Sequence, residues 1–133
     1  MSVYVTDTHP LFWYAANQQS KLSRKALRLF EKAWAGQAFI YVPAAVLWEV
    51  ALLIKAGQIR LSQPFEQWAA ALASKPGFEI AALDAGVLQT ALNVHINDDP
   101  FDEVIVATAL TLDLPLITKD AAINDSGLVE VVW

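Results

Sequence analysis

The chain has 133 residues, a formal net charge of −5 and no cysteine. This length predicts a single domain over residues 1–133 with a sizeable core, and the absence of cysteine excludes disulfide bonds. The longest apolar stretch, residues 42–54, is shorter than the roughly 20 residues that cross a bilayer. With no recognisable secretion leader either, we expect a cytoplasmic protein that does not associate with membranes.

The net negative charge is weak evidence against a nucleic-acid partner. Surfaces that bind phosphate are generally basic, whereas this chain has 14 acidic and nine basic residues. If several of the acids belong to a metal site, a bound divalent cation reverses the local field and the remaining surface is closer to neutral. The charge balance therefore leaves nucleic acid open as a ligand.

Strand-like and helix-like segments alternate along the whole chain. Strands are predicted at residues 3–7, 39–42, 78–83, 115–118 and 128–133. Helices are predicted at residues 10–17, 24–35, 44–56, 64–74, 85–94 and 101–113. Alternation of this kind indicates an α/β fold with right-handed crossovers and a mainly parallel sheet covered on both faces.

Two aspartates follow predicted strands at opposite ends of the chain. Asp7 ends the apolar run 3–6, and Asp120 ends the run 116–119. Open α/β sheets place their ligands at the carboxyl ends of the strands, so both residues are candidate ligands. Aspartate after a strand is also a common turn or capping residue, and that structural interpretation stays open for each acid by itself.

Basic residues are concentrated on one side of the predicted helix 24–35. At 100° per residue, five of the nine basic residues project within about 100° of one another: Lys21, Arg24, Lys25, Arg28 and Lys32. This stripe is a candidate for binding phosphates. A solvated helix face is the more common reason for such a run, so both interpretations are kept.

Glu49 is the most diagnostic acid, because it lies in an apolar helix. It is the only ionisable residue between Ala44 and Ile54, and the neighbours on its own helical face are apolar. A carboxylate in such surroundings either raises its pKa or binds a cation. Together with the acids at the strand ends, Glu49 predicts a site for a divalent metal.

The segment Asp99-Pro100-Phe101-Asp102 begins the predicted helix 101–113. Asp99 is placed to cap that helix ahead of proline, and Asp102 to interact with the positive end of the helix dipole. Local stability alone can explain both residues. We therefore interpret Asp99 as a cap and leave Asp102 as a candidate ligand.

In order and spacing, these segments resemble the successive motifs of PIN-domain ribonucleases, and most closely the VapC-type toxins of bacterial toxin–antitoxin pairs. The segments are DTHPLFW at 7–13, LWEVA at 47–51, DPFD at 99–102 and LITKD at 116–120. The resemblance implies a three-layer α/β/α domain around a mainly parallel sheet of about five strands. It also implies that Asp7, Glu49, Asp102 and Asp120 are the catalytic, metal-binding acids, with Mg²⁺ or Mn²⁺ as cofactor.

The function implied by the resemblance is metal-dependent hydrolysis of RNA, leaving a 5′-phosphate and a 3′-hydroxyl. The implied partners are an RNA substrate, a cognate antitoxin protein and a second copy of the chain in a homodimer. An apolar content of 56% and five tryptophans fit such interfaces. Four acids are compatible with one metal ion or with two.

Neighbouring polar residues have supporting roles in this hypothesis. Thr8 and Thr118 stand beside predicted ligands and can hold a carboxylate or a water molecule through their hydroxyl groups. His9 and His95 lack the spacing of metal ligands and are interpreted as structural or surface residues.

Two alternatives to an active nuclease remain. Glu103 follows Asp102 where PIN relatives usually have arginine, which leaves open an inactive PIN scaffold that only binds a partner. A phosphoacceptor receiver domain also has an acidic Mg²⁺ pocket at strand ends. It would need two adjacent acids after the first strand, whereas Thr8 and His9 follow Asp7.

Overall fold

The computed structural model describes residues 2–133 as a five-stranded parallel sheet with seven α-helices. The strands are β1 Val3–Thr6, β2 Phe39–Pro43, β3 Phe78–Ala81, β4 Leu116–Ile117 and β5 Val131–Val132. The helices are α1 Thr8–Ala15, α2 Arg24–Trp34, α3 Ala44–Lys55, α4 Phe65–Ala73, α5 Ala85–Ala91, α6 Pro100–Leu112 and α7 Ala121–Ser126, with a 3-10 turn at Gln19–Lys21. The predicted α/β class and the five strands in order are confirmed.

The strand order is β3-β2-β1-β4-β5, and every neighbouring pair is parallel. From β1 the chain builds one side of the sheet through β2 and β3, and it then crosses to the other side for β4 and β5. The order therefore reverses between β1 and β4, which is where doubly wound sheets form a crevice for ligands. Thr6 pairs with Ile117 in register. Asp7, the residue after β1, and Thr118, the residue after β4, are therefore neighbours at this edge of the sheet.

Helices cover both faces of the sheet and make the three-layer α/β/α arrangement. Successive residues of a strand point to opposite faces of the sheet. Because Leu116 and Ile117 are both fully buried, both faces of the sheet are covered at β4. The main core extends through the middle of the sheet and includes Val5, Ile40 and Val42, none of which is exposed. Among the helices of residues 2–133, none combines the length and apolarity that crossing a membrane requires.

Aspartates cap several helices, and they explain where the structure departs from the predicted boundaries. α1 begins at Thr8 rather than at residue 10, because the Asp7 carboxylate accepts a hydrogen bond from the Thr8 N–H. α7 was not predicted, and it begins because Asp120 accepts from the Ile123 N–H at 2.9 Å. β5 spans two residues instead of the six expected.

Candidate functional site

Asp7 lies at the centre of the crevice between β1 and β4. Its side chain is 8% exposed, and each carboxylate oxygen accepts one hydrogen bond. Oδ1 accepts from the backbone N–H of Thr8 at 2.8 Å, and Oδ2 accepts from the Thr118 hydroxyl at 2.8 Å. Thr118 is fully buried, so these bonds hold Asp7 in one position inside the fold.

The two threonines connect Asp7 to two other predicted ligands. The Thr8 hydroxyl donates a hydrogen bond to Oε1 of Glu49 on α3. The Thr118 hydroxyl accepts a hydrogen bond from the backbone N–H of Asp120 at 3.0 Å. A continuous path therefore runs Asp120–Thr118–Asp7–Thr8–Glu49, and we call Asp7, Glu49 and Asp120 the threonine-linked acids.

Asp102 and Asp99, which we call the α6 acids, are held by a separate set of hydrogen bonds. Asp99 caps α6 by accepting from the N–H groups of Phe101 and Asp102, at 2.9 and 3.4 Å. The Asn97 amide donates to Oδ2 of Asp102 at 2.9 Å, and its carbonyl oxygen accepts from the Asp99 N–H at 3.1 Å. All of these bonds lie within residues 97–102.

Burial and mutual repulsion raise the pKa of three of these carboxyl groups. Burial is the largest cause for Asp7, opposed by its hydrogen bonds from Thr118 and Thr8, and the charge of Glu49 adds to the rise in pKa. The pKa of Glu49 is likewise raised by burial, with smaller contributions from the charges of Asp99 and Asp102.

Asp102 titrates well above the usual range of an aspartate. Its burial and the nearby charges of Asp7, Asp99 and Asp120 raise its pKa from 3.8 to about 6, although the Asn97 hydrogen bond acts in the opposite direction. Because Asp102 is affected by both Asp7 and Asp120, the α6 acids share one electrostatic site with the threonine-linked acids. No direct hydrogen bond joins the two groups among residues 2–133.

The donor chemistry of this site fits a hard divalent cation. A carboxylate offers about four lone-pair sites, and Asp7 uses one on each oxygen. Glu49, Asp102 and Asp120 each have one oxygen in a hydrogen bond with residues 2–133 and the other without one. Carboxylate oxygens are the ligands that Mg²⁺ and Mn²⁺ prefer, and a cation also relieves the repulsion among the acids.

The acids do not form a complete coordination site. Within the part of the chain that the structure describes, no three acidic or histidine side chains are arranged as a complete metal site. The Thr8 hydroxyl bonds Glu49, and the Thr118 hydroxyl lies between the Asp7 carboxylate and the backbone N–H of Asp120, so no hydroxyl bridges two carboxylates in these bonds. The assignment of the four acids as ligands therefore stays a prediction.

Two adjoining depressions border the acids. The acid pocket, about 220 Å³, is lined by Asp7, Asp120, Thr118, Lys119, His9 and Trp13 among others. The cationic cleft, about 750 Å³, shares His9 and Trp13 with the acid pocket and adds Lys21 and Arg60. Glu49 and Asp102 line neither depression.

His9 is a site residue that the sequence interpretation missed. It is exposed, it lines both depressions, and its charge lowers the pKa of Asp7 and of Glu49. Its position two residues after Asp7, in the first turn of α1, is the signal that could have identified it. His95 has no part in these contacts.

All five basic residues of the predicted stripe are exposed, and four of them, which we call the α2 stripe, lie on α2: Arg24, Lys25, Arg28 and Lys32. Lys21 lines the cationic cleft, whereas the residues of the α2 stripe line neither the acid pocket nor the cationic cleft. Glu103 lines a groove between α5 and α6 beside Leu88 and Leu92, whereas its neighbour Asp102 belongs to the acid site.

Comparison with known proteins gives consistent matches along the chain. The sequence model of the PIN domain family matches residues 4–127. The chain is 30% identical over 121 residues to Ribonuclease VapC22 of Mycobacterium tuberculosis, covering 90% of this chain and 88% of that protein.

Two solved structures show the same fold. VapBC2 from Rickettsia felis, bound to a DNA fragment from its promoter, has a TM-score of 0.66 at 14% identity, covering 98% of this chain and 97% of that one. VapC20 of Mycobacterium tuberculosis, a sarcin–ricin loop cleaving toxin, has a TM-score of 0.61 at 20% identity, covering 98% of each chain.

Proposed function

Because this chain belongs to the PIN domain family, we propose that it is a VapC-type endoribonuclease that hydrolyses RNA phosphodiester bonds with Mg²⁺ or Mn²⁺. The observation that carries the proposal is the path Asp120–Thr118–Asp7–Thr8–Glu49 at the strand-order reversal, with Asp102 in electrostatic reach. Several oxygen donors of hard-metal character are thereby gathered in one crevice.

In this proposal Asp7, Glu49, Asp102 and Asp120 hold the cation, directly or through water molecules. A bound divalent ion would polarise a phosphoryl oxygen, lower the pKa of the attacking water and stabilise the leaving oxygen. Thr118 and Thr8 keep Asp7 and Glu49 oriented through their hydroxyl groups, which is the usual task of groups behind metal ligands. Asp99 caps α6 and so fixes the start of the helix that carries Asp102.

The α2 stripe is proposed as a more distant RNA contact. Arg24, Lys25, Arg28 and Lys32 all face solvent, so they can neutralise phosphates of an RNA strand that extends beyond the site. Replacing Arg24, Arg28 and Lys32 by alanine should flatten the salt dependence of RNA binding. An unchanged slope would assign these residues to an ordinary solvated face.

The decisive assay compares the wild type with Asp7→Asn and Glu49→Gln on a mixed panel of RNAs. We expect cleavage with Mg²⁺ or Mn²⁺, loss of cleavage with EDTA, and strongly reduced cleavage by both variants. Calorimetric titration with Mn²⁺ gives a readout that is independent of activity, and both variants should bind Mn²⁺ more weakly. Cleavage that needs no metal, or that both variants retain in full, would contradict the proposal.

We further propose that the chain is the cytoplasmic toxin of a toxin–antitoxin pair. The similarity to VapC22, and the fold shared with the toxin–antitoxin complex VapBC2, support an antitoxin partner. Expression of the chain alone should arrest bacterial growth, and coexpression of the adjacent gene should restore it. Growth arrest that persists in Asp7→Asn would contradict nuclease toxicity.

A homodimer is the second proposed assembly, supported by an exposed apolar surface. Trp48, Leu83, Leu88 and Leu92 are 58%, 42%, 47% and 71% exposed. They border two apolar grooves that meet at Pro100 and Val104, and exposed surfaces of this kind mark interfaces. Light scattering should give twice the chain mass for the wild type and a smaller mass for Trp48→Asp with Leu92→Asp.

Of the two alternatives to an active nuclease, only the inactive PIN scaffold is kept. A receiver domain is set aside, because the family match covers residues 4–127 of the chain. An inactive PIN scaffold is motivated by Glu103, yet that residue lines the α5–α6 groove rather than the acid pocket. Tight Mn²⁺ binding without cleavage of any RNA would favour the scaffold.

A further inference from the structure

We infer that the cationic cleft binds the single-stranded RNA that flanks the scissile bond, with Trp13 as the platform on which a base stacks. The inference rests on the proposed nuclease function and specifies how that site holds its substrate. It begins from the position of Trp13, which lines both the acid pocket and the cationic cleft. A strand that reaches the acids from the cleft must pass this residue.

Two lysines stand over the Trp13 ring, although they are almost 100 residues apart in the sequence. Lys119 Nζ lies 5.1 Å from the ring centroid, and Lys21 Nζ lies 5.9 Å from it. Both are within the roughly 6 Å at which a cation is attracted to an aromatic face. Trp13 therefore gathers positive charge beside Asp7 and Asp120, where a phosphodiester must approach a group of carboxylates.

The charge of the cleft contrasts with that of the chain. Of residues 2–133, those that line the cationic cleft include Lys21, Arg60 and His9 but no aspartate or glutamate. The chain as a whole has a net charge of −5. A carboxylate-free, cationic surface leading to an acid site is complementary to a phosphate backbone.

The size and the other side chains of the cleft favour a single strand with exposed bases. About 750 Å³ lies within the range of small-ligand sites, roughly 300–1,000 Å³, and suits a few unpaired nucleotides rather than a duplex. Gln18, Gln58 and Gln63 line the cleft with amides that can donate to and accept from base edges. Stacking, phosphate contacts and edge contacts together are how proteins recognise single-stranded RNA.

The test measures binding of a labelled single-stranded RNA in the Asp7→Asn background, in which cleavage is expected to be strongly reduced. Trp13→Leu should weaken the Kd by about 5- to 150-fold, the range that one lost stacking contact produces. It should leave binding of an abasic oligomer with the same backbone unchanged, which a merely structural defect would not do. Trp13→Phe keeps a stacking surface and should restore most of the affinity.

The lysines are tested separately, so that the inference can be checked even if Trp13→Leu fails to fold. Lys21→Gln with Lys119→Gln should lower the slope of log Kd against log salt by about 0.7 for each lysine removed. The matched control is Lys75→Gln, since Lys75 Nζ lies 4.1 Å over Trp34, outside the cationic cleft. That control should leave both Kd and slope unchanged.

The outcomes separate this inference from the proposed function. A wild type that cleaves no RNA with any divalent metal overturns the nuclease function and this inference with it. A wild type that cleaves normally, while Trp13→Leu and the double lysine variant keep the wild-type Kd and KM, overturns the inference alone. Loss of a copurifying protein partner in those variants, with RNA affinity intact, would assign the cleft to that partner and also overturn it.

Discussion

The threonine-linked acids are tied to one another across the fold, whereas the α6 acids are tied only to their own loop. Asp7 follows β1, Glu49 lies on α3 and Asp120 follows β4. Thr8 joins Asp7 to Glu49 through its backbone N–H and its hydroxyl, and the Thr118 hydroxyl joins Asp7 to the backbone N–H of Asp120. Asp99 and Asp102 are held by Asn97 and by the first turn of α6. The first group thus depends on two tertiary bonds, Thr8 to Glu49 and Thr118 to Asp7, whereas the second is held by local structure alone, and only electrostatics couples the two groups.

This difference suggests a division of tasks. The threonine-linked acids give the site a fixed frame, because moving Asp7 or Glu49 breaks a bond between distant elements. Asp120 is held beside them through its backbone bond to Thr118. The α6 acids can change position or protonation with little cost to the rest of the fold. Predictions on each group can therefore separate losses of catalysis from losses of stability.

The largest effect is expected from Asp7→Asn, in the fixed group. We expect kcat/KM for RNA cleavage to fall by at least about 100-fold, because one charged group at the reacting centre is lost. The folded state should persist, since the asparagine oxygen can still accept from the Thr8 N–H, and its NH2 group can donate to the Thr118 hydroxyl oxygen once that hydroxyl turns. Steady-state cleavage and circular dichroism on the same preparations check both statements, and an unfolded variant would contradict the second.

Removal of a linking hydroxyl should have an intermediate effect. Thr118→Val deletes the donor to Asp7 and the acceptor for Asp120 while preserving side-chain shape, so we expect about 10- to 100-fold weaker metal affinity or activity. Thr118→Ser restores the hydroxyl and should recover most of the loss. Equal activity of the valine and serine variants would show that the hydroxyl does not position Asp7.

The raised pKa of Asp102 predicts a smaller effect, a decrease in the stability of the folded protein as pH rises. A raised carboxyl pKa means that the folded state binds the proton more tightly than the unfolded state does. The resulting stability is complete below the unfolded pKa of 3.8 and is lost as pH rises through about 6. In EDTA, the melting temperature of the wild type relative to Asp102→Asn should therefore fall over this interval.

Metal addition provides the control for that titration. Ionised carboxylates bind cations better, so Mg²⁺ should raise the melting temperature more at about pH 7.5 than at about pH 5. Calorimetric melting at both pH values, with and without Mg²⁺, measures the difference. A pH profile identical in the wild type and Asp102→Asn would contradict the assignment of this titration to Asp102.

The smallest effect is expected from Asp99→Asn. Asparagine caps helices about as well as aspartate, so the free energy of unfolding should change little, whereas Asp99→Ala should cost about 0.5–2 kcal/mol. Asp99→Asn also removes a charge that raises the pKa of Asp102 and Glu49. Chemical denaturation checks the cap, and a large activity loss in Asp99→Asn would show that Asp99 is itself a ligand.

The fold was predictable wherever the segment was long enough to show a periodic pattern of apolar residues. α2 and α6, with 11 and 13 residues, lie close to their predicted bounds. α7 was missed because it has only six residues, Ala-Ala-Ile-Asn-Asp-Ser, and Ile123 is its one buried residue. α1 begins two residues earlier than predicted, because the Asp7 carboxylate caps it at Thr8.

The candidate site was predictable only in part, for a related reason. Glu49 could be identified because an acid in an apolar helix is unusual, and Asp7 and Asp120 because they follow strands. The hydroxyl contacts of Thr8 and Thr118 join residues 41 and 111 positions apart, which no local pattern encodes. Asn97 escaped notice because its position depends on a turn in which Asp98 has a φ of 60°.

β4 is only two residues long, so the contact between Thr118 and Asp7 is either fully formed or fully lost. Consecutive strand residues face opposite sides, so a shift of β4 by a single residue would turn Thr118 away from Asp7. Damage to the β1–β4 pairing should therefore divide the molecules into competent and incompetent populations instead of weakening every molecule slightly. Hydrogen exchange at the Asp7 and Thr118 amides, which donate to Ile117 and Val132, would report the competent fraction directly.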